Sequence, residues 1–137
     1  SNPAGRVMDG STLLYVAFGG SIGAVLRAVI ANLYQTEAPA SFPIATFIVN
    51  VVGCILIGIV AALCLGPLAS NKEFIRSFVM LGLLGGFTTY STFAIDSITL
   101  FQNQKFLTLG SYIALSNVVG LLGAFIAFSL TSSLCKP

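Results

Sequence analysis

Long apolar runs separated by short polar stretches dominate the chain. Four such runs cover residues 12–34, 42–65, 74–101 and 106–134. Each run is long enough to cross the hydrocarbon core of a bilayer as a helix, which takes about 20 residues. The regular alternation of polar and apolar positions that marks the strands of a membrane barrel is absent from the sequence. The pattern therefore predicts an all-α integral membrane protein with four transmembrane helices.

Polar residues and turn formers divide the chain into two parts. Residues 1–11 form a polar N-terminal segment, part of which is expected to be a cloning remnant, and residues 12–137 form one transmembrane domain. Pro43 lies near the first turn of the second run, where proline costs no helical hydrogen bond, and Gly66 and Pro67 end that run. The connections between runs are too short to hold a separate soluble domain.

The composition agrees with lipid as the natural solvent of this chain. Hydrophobic residues make up 56% of it and charged residues 7%, whereas soluble domains carry about 25% charged residues. The absence of histidine excludes the nucleophilic pairs, metal sites and proton relays that need an imidazole. The three cysteines, Cys54, Cys64 and Cys135, lack the spacing of a zinc or redox motif and are expected to be packing thiols.

Basic residues are unevenly distributed between the two ends of the predicted bundle. An even number of spans puts both termini on one side, and that side carries Arg6, Lys72, Arg76 and Lys136. The opposite side carries Lys105. This bias predicts cytoplasmic termini. It is small enough that a few charges would let the chain insert in both orientations.

The third run contains a segment that suits lipid poorly. Gly85 and Gly86 precede five hydroxyl-bearing residues at positions 88–92. Glycine costs about 1 kcal/mol of helix propensity relative to alanine, and serine and threonine offer the backbone competing hydrogen bonds. We predict a helix broken near residues 85–89, with carbonyls that can hold a cation and a half-helix N-terminus that can hold an anion. The alternative is an intact helix with a polar packing face.

Neutral hydrogen-bond donors recur at mid-span. Asn50 either bridges two helices or lines a polar path, since an amide in hydrocarbon is costly unless it is bonded. Tyr112 and Ser116 lie on one face of the fourth helix, with Asn117 beside that face. Donors without a mid-membrane carboxylate suit an anion better than a cation. The neutral donors are Asn50, Thr88, Thr89, Ser91, Thr92, Tyr112 and Ser116.

Two charged residues lie within or near the predicted spans. Arg27 stands deep in the first run, where it has either a functional role or a guanidinium that reaches the interface. Asp96 follows the predicted break, where it could cap a helix, pair with a cation or lie at the interface.

Four short motifs occur in order between about Phe18 and Phe128. They are GGSIGA at 19–24 followed by Arg27, FPIATFIVN at 42–50 followed by Gly53, GLLGGFTTYSTF at 82–93, and Tyr112 with Ser116 and Gly120. Together they resemble the Fluc or CrcB family of small bacterial fluoride channels. The resemblance implies a multi-pass protein of the bacterial inner (plasma) membrane that exports cytoplasmic fluoride passively and is not an enzyme. It also implies an antiparallel, dual-topology dimer with two pores.

The resemblance further assigns roles to individual residues. A sodium ion at the dimer centre would be held by the backbone carbonyls of Gly85 and Thr88. Arg27 corresponds to a vestibule arginine, and Asp96 to the acidic residue that usually follows the third motif. The fluoride pore would be lined by Asn50, Tyr90, Ser91, Thr92, Phe93, Tyr112 and Ser116.

Two positions depart from the family pattern. Tyr90 stands where a phenylalanine is usual, and Gly120 stands where a further hydroxyl is common. Both bear on whether a homodimer supplies two complete pores or whether a related subunit forms a heterodimer with this one. Two other functions fit four short spans: a small dual-topology drug/proton exporter and a membrane assembly subunit without transport. The exporter needs a carboxylate in the first span, where this chain has Arg27 instead.

Overall fold

The computed structural model describes residues 8–35 and 41–137, which are helical apart from short connections. Four segments are long and apolar enough to cross a membrane. They are α1 (Gly10–Leu33), α2 (Ile44–Leu65), a composite third span at Ala69–Gln102, and the last helix at Phe106–Leu134. The predicted all-α architecture with four spans is confirmed. Residues 1–7 and 36–40, which include most of the predicted first link, lie outside the described residues.

Short polar caps set the ends of the first two helices. α1 begins at Gly10, two residues before the predicted span, because the Asp9 carboxylate accepts the Thr12 backbone N–H at 2.8 Å. The same bond lowers the pKa of Asp9, since it stabilises the charged carboxylate. α2 begins directly after Pro43 and ends before Gly66, as the turn residues predict.

The third span consists of several helical pieces. A 3₁₀ turn (Ala69–Asn71), α3 (Lys72–Phe74), a π-helix (Ile75–Leu84) and α4 (Gly85–Phe87) form its first half, and α5 (Tyr90–Gln102) forms its second half. The last span is α6 (Phe106–Leu134). The first half starts earlier than the predicted residue 74. The π-helix is rare and is frequently found at functional sites, and the sequence pattern did not predict it.

The predicted break in the third span is present and lies at two threonines. Thr88 (φ −81°, ψ 156°) and Thr89 (φ −149°, ψ 121°) are both extended, while Gly85 and Gly86 remain helical. Thr89 then caps α5, because its hydroxyl oxygen accepts the Thr92 backbone N–H at 3.1 Å. The interruption therefore begins at Thr88, three residues after the start of the predicted range of 85–89.

Gly82 and Gly86, which precede the break, allow α1 to pack closely on the third span. A side chain at Gly23 would overlap the Leu83 carbonyl oxygen, and one at Gly86 would lie 2.5 Å from the carbonyl oxygen of Gly20. A side chain at Gly82 would lie 2.9 Å from the Val16 carbonyl oxygen. Small residues of α1 and the third span thus form one close helix–helix contact.

α2 packs on α6 and also against the break. A side chain at Gly58 would overlap the Ala124 carbonyl oxygen, and one at Gly120 would lie 3.4 Å from Cys54 Sγ. A side chain at Gly53 would overlap the Thr88 methyl group. The break is therefore seated directly against the middle of α2.

The outward faces of the bundle are apolar. Phe18 and Val25 on α1 and Phe125 and Leu130 on α6 are each more than 60% exposed. Large apolar side chains exposed on this scale match a lipid environment. The chain is a multi-pass membrane protein.

Candidate functional site

Asn50 holds the backbone of the break with both atoms of its amide. Its Nδ2 donates to the Thr89 carbonyl oxygen at 3.0 Å, and its Oδ1 accepts the Thr89 backbone N–H at 2.8 Å. In an unbroken helix that N–H would donate to the Gly85 carbonyl. The α2 amide therefore replaces a helical bond and stabilises an extended backbone at membrane depth.

Two further side chains replace helical bonds at the break. The Gly86 carbonyl, which an unbroken helix would bond to the Tyr90 N–H, accepts from Arg27 Nε at 3.0 Å. The Thr92 N–H, which would otherwise donate to the Thr88 carbonyl, donates to the Thr89 hydroxyl. Arg27 also places a positive charge at the C-terminal end of the first half, where the helix dipole favours it.

A central cleft of about 330 Å³ opens beside the break. α2, both halves of the third span and α6 all contribute to it. Among the residues that the structure describes, those lining the cleft include no carboxylate. The polar and aromatic residues lining it are Asn50, Thr88, Thr89, Tyr90, Phe93, Ser116 and Asn117.

The Ser116 hydroxyl is the unusual polar group of this cleft. Its Oγ is buried and has no hydrogen-bond partner among the described residues. Buried hydroxyls are nearly always bonded, so one without a partner in a cleft indicates a place for a bound ligand or water.

Aromatic rings connect the cleft to the interior of the bundle. The Tyr90 and Phe93 centroids are 5.6 Å apart, and the Phe93 and Tyr112 centroids are 4.9 Å apart. Tyr90 is 82% exposed at the rim of the cleft, whereas Tyr112 is fully buried. Ring edges carry the positive part of the aromatic quadrupole, so they can face an anion.

A second cleft, of about 300 Å³, lies between the end of α1, the start of α2 and α5. Thr46, Thr92 and Asp96 are among its lining residues. The Asp96 Oδ2 accepts the Tyr112 hydroxyl at 2.9 Å. This contact with a neutral hydroxyl is neither the helix cap nor the ion pair considered from the sequence.

The chain is similar in sequence to proteins of known family. Residues 14–128 match the family model described as CrcB-like protein, Camphor Resistance (CrcB). The chain is 38% identical over 117 residues to "Fluoride-specific ion channel FluC 1" of Listeria innocua, covering 85% of this chain and 94% of the relative. It is 38% identical over 121 residues to "Fluoride-specific ion channel FluC 2" of Rhodococcus jostii, covering 88% and 99%. A Helicobacter pylori protein, "Fluoride-specific ion channel FluC", is 36% identical over 125 residues, covering 88% and 92%.

The chain belongs to the CrcB-like family. The matched region contains nearly all of the four spans, the break and both clefts. The resemblance drawn from the four motifs is thereby confirmed.

The residues predicted to line one CrcB-like pore lie at several different sites in this single chain. Asn50, Tyr90, Phe93 and Ser116 line the central cleft, together with Gly85 and Thr88. Thr92 lines the second cleft, and the buried Tyr112 lies between the two, bonded to Asp96. Ser91 is exposed, and its hydroxyl lies 3.3 Å from the Thr89 hydroxyl. Arg27 lines a smaller cavity, of about 90 Å³, with Thr92.

Several residues that line the clefts of this CrcB-like chain were not assigned to the site from sequence, among them Cys54, Asn117 and Thr46. Cys54 was expected to be a packing thiol, yet it lines the central cleft. Asn117 was predicted to lie beside the functional face of α6, but it lines the central cleft. Thr46 precedes Asn50 by four residues, so its helical spacing was the available signal.

Proposed function

We propose that this protein is a passive channel that lets fluoride leave the cytoplasm. The relatives that bear the name fluoride-specific ion channel align with most of the chain. The observation that carries the proposal is the central cleft, where neutral donors and aromatic rings meet and Ser116 Oγ is buried without a partner among the described residues. Such groups can replace the water of an anion entering a narrow path.

Passive transport is sufficient for export. Hydrogen fluoride crosses membranes, dissociates in the cytoplasm and leaves trapped fluoride. An inside-negative potential drives an anion outward by about 2.3 kcal/mol per charge per 100 mV. The protein then needs only to lower the cost of dehydrating the ion.

We also propose that Gly85 and Thr88 hold a sodium ion through their backbone carbonyls. Hard cations prefer oxygen ligands, and a bound sodium ion would offset the partial negative charge of these carbonyl oxygens. The residues fit this role, because the amides that would bond these two carbonyls donate elsewhere. The Thr89 N–H donates to Asn50, and the Thr92 N–H donates to the Thr89 hydroxyl.

The proposed assembly is an antiparallel dimer with two pores and subunits inserted in opposite orientations. Tyr90 supports it, because a large side chain 82% exposed at the rim of the cleft would be covered by a second subunit. That subunit is either a second copy of this chain or a related chain, since Tyr90 and Gly120 depart from the family pattern.

The exporter alternative has less support. Its mechanism needs a carboxylate inside the first span to exchange protons for a cation, and α1 contains no acidic residue. A transport function, by either a channel or an exporter, needs no enzymatic reaction.

The test is fluoride efflux from liposomes that contain the purified protein, with a potassium ionophore present to balance charge. The proposal predicts rapid efflux that stops in Asn50→Asp, which puts a negative charge beside the cleft. No efflux from the unaltered protein would refute the channel function. A matched change outside the cleft, Asn103→Asp in the last loop, should leave efflux unchanged.

A further inference from the structure

We propose that Asn117 contacts the permeating fluoride and, with Ser116, forms a donor pair on α6. This inference rests on the proposed fluoride channel function. It adds to the pore a residue that neither the four motifs nor the comparisons assign. The chemistry is that of an amide N–H and a hydroxyl converging on an anion that has lost part of its water.

The first observation is the position and orientation of Asn117. It lines the central cleft with Ser116, its neighbour along α6. Its Nδ2 donates to the Ile113 carbonyl oxygen at 2.8 Å. A carbonyl accepts only from a donor, so this bond identifies the nitrogen side of the amide. An amide nitrogen carries two hydrogens, and the second remains available to a ligand.

The second observation is the state of Ser116. Its Oγ is buried and unpartnered among the described residues, although its residue lines the cleft. A single hydroxyl with one hydrogen cannot replace the several water molecules around a small anion. An adjacent amide donor on the same helix doubles the number of donors without a further helix.

The bonds that Asn50 makes to the break limit its movement toward an ion. Asn50 uses its oxygen and one N–H to hold Thr89. Its position is therefore fixed by the break, and it cannot move toward an ion without releasing that backbone. Within the described residues, Asn117 is bound to its own helix through the Ile113 carbonyl, so its second N–H can turn toward the ion.

Because Gly120 has no side chain, Asn117 supplies a larger share of the hydrogen-bond donors that α6 presents to the cleft. One turn beyond Ser116 the helix carries no side chain, and the Cys54 thiol lies against that position. A thiol is a weak donor. Strong donors from α6 to the central cleft are therefore Ser116 and Asn117, within the part of the chain that the structure describes.

The experiment compares fluoride efflux from liposomes for five proteins. They are the unaltered chain, Asn117→Ala, Asn117→Val, Asn117→Ser and the control Asn103→Ala. Asn103 makes the same bond to the carbonyl four residues earlier, Nδ2 to Thr99 O at 2.8 Å, but lies in the last loop. The control therefore removes an equivalent local bond away from the cleft. Efflux is measured over a range of fluoride concentrations, and gel filtration checks that each protein is monodisperse.

The inference predicts that Asn117→Ala and Asn117→Val lower fluoride efflux by about tenfold or more, the typical effect of losing one hydrogen bond to a charged partner. Asn117→Ser retains a donor and should recover most of the efflux, and Asn103→Ala should match the unaltered chain. A donor-free variant that conducts like the control would overturn the inference, as would a serine variant as slow as alanine in monodisperse protein. No efflux from the unaltered chain would instead refute the channel function itself.

Discussion

Replacing Asn50 with leucine tests how the break is stabilised. The substitution keeps a similar volume and removes both bonds to Thr89, at 3.0 and 2.8 Å. The Thr89 N–H and carbonyl then lose their partners at membrane depth. An unsatisfied buried polar group costs about 1–3 kcal/mol. Because both groups are only part-buried, we expect the lower part of that range for each, about 2–3 kcal/mol in total.

The loss is measured as the change in free energy of unfolding in mixed micelles, followed by circular dichroism during titration with a denaturing detergent. Hydrogen exchange at the Thr89 amide gives a local readout, and its rate should rise by the factor that corresponds to this free energy. Asn103→Leu serves as the control, because it removes one exposed bond in a loop. The account is wrong if Asn50→Leu unfolds at the same detergent fraction as the control and the Thr89 amide exchanges no faster.

Three further predictions concern other parts of the chain. Gly23→Ala should destabilise the fold by about 1–3 kcal/mol, because the added methyl group would meet a backbone carbonyl of the π-helix. Gly110→Ala has open space around it and should be neutral or slightly stabilising. Thermal unfolding in detergent compares the two variants. Tyr112→Phe removes the hydroxyl that Asp96 accepts, so efflux should fall while gel filtration is unchanged, and normal efflux would contradict a role for this bond. The folded-state pKa of Asp9 is lowered, so its stabilisation of α1 is complete above the unfolded-state pKa and is lost as pH falls through the folded-state pKa. The unfolding temperature of the unaltered chain should therefore fall more steeply in that acidic range than that of Asp9→Asn, and identical slopes would contradict the cap.

The helices and the break could be predicted from sequence because each has a local cause. Run length and apolar content set the four spans, and the hydroxyl-rich segment after Gly85 and Gly86 predicted an interruption. The glycines were assigned to the break because their propensity is low. In the structure both remain helical, and at Gly86 packing against α1 outweighs propensity, because a side chain there would overlap the Gly20 carbonyl oxygen.

The contacts around the break could not be predicted, because they join residues far apart in the chain. Nothing in the neighbourhood of Asn50 indicates that its amide bonds Thr89, and both alternatives for Asn50 prove compatible, since it bridges two elements and lines the cleft. The π-helix has no signature in composition. Asn117 lies about 100° around the helix from Ser116, so helical spacing alone did not decide whether it faces the cleft.

The most direct test of the central claim measures fluoride and chloride efflux in parallel from liposomes that contain this chain alone. The account predicts fast loss of fluoride and retention of chloride, because the central cleft supplies neutral donors for a small dehydrated anion. Equal efflux of both anions would contradict selectivity. Retention of both anions would contradict the proposal that this chain forms a fluoride channel.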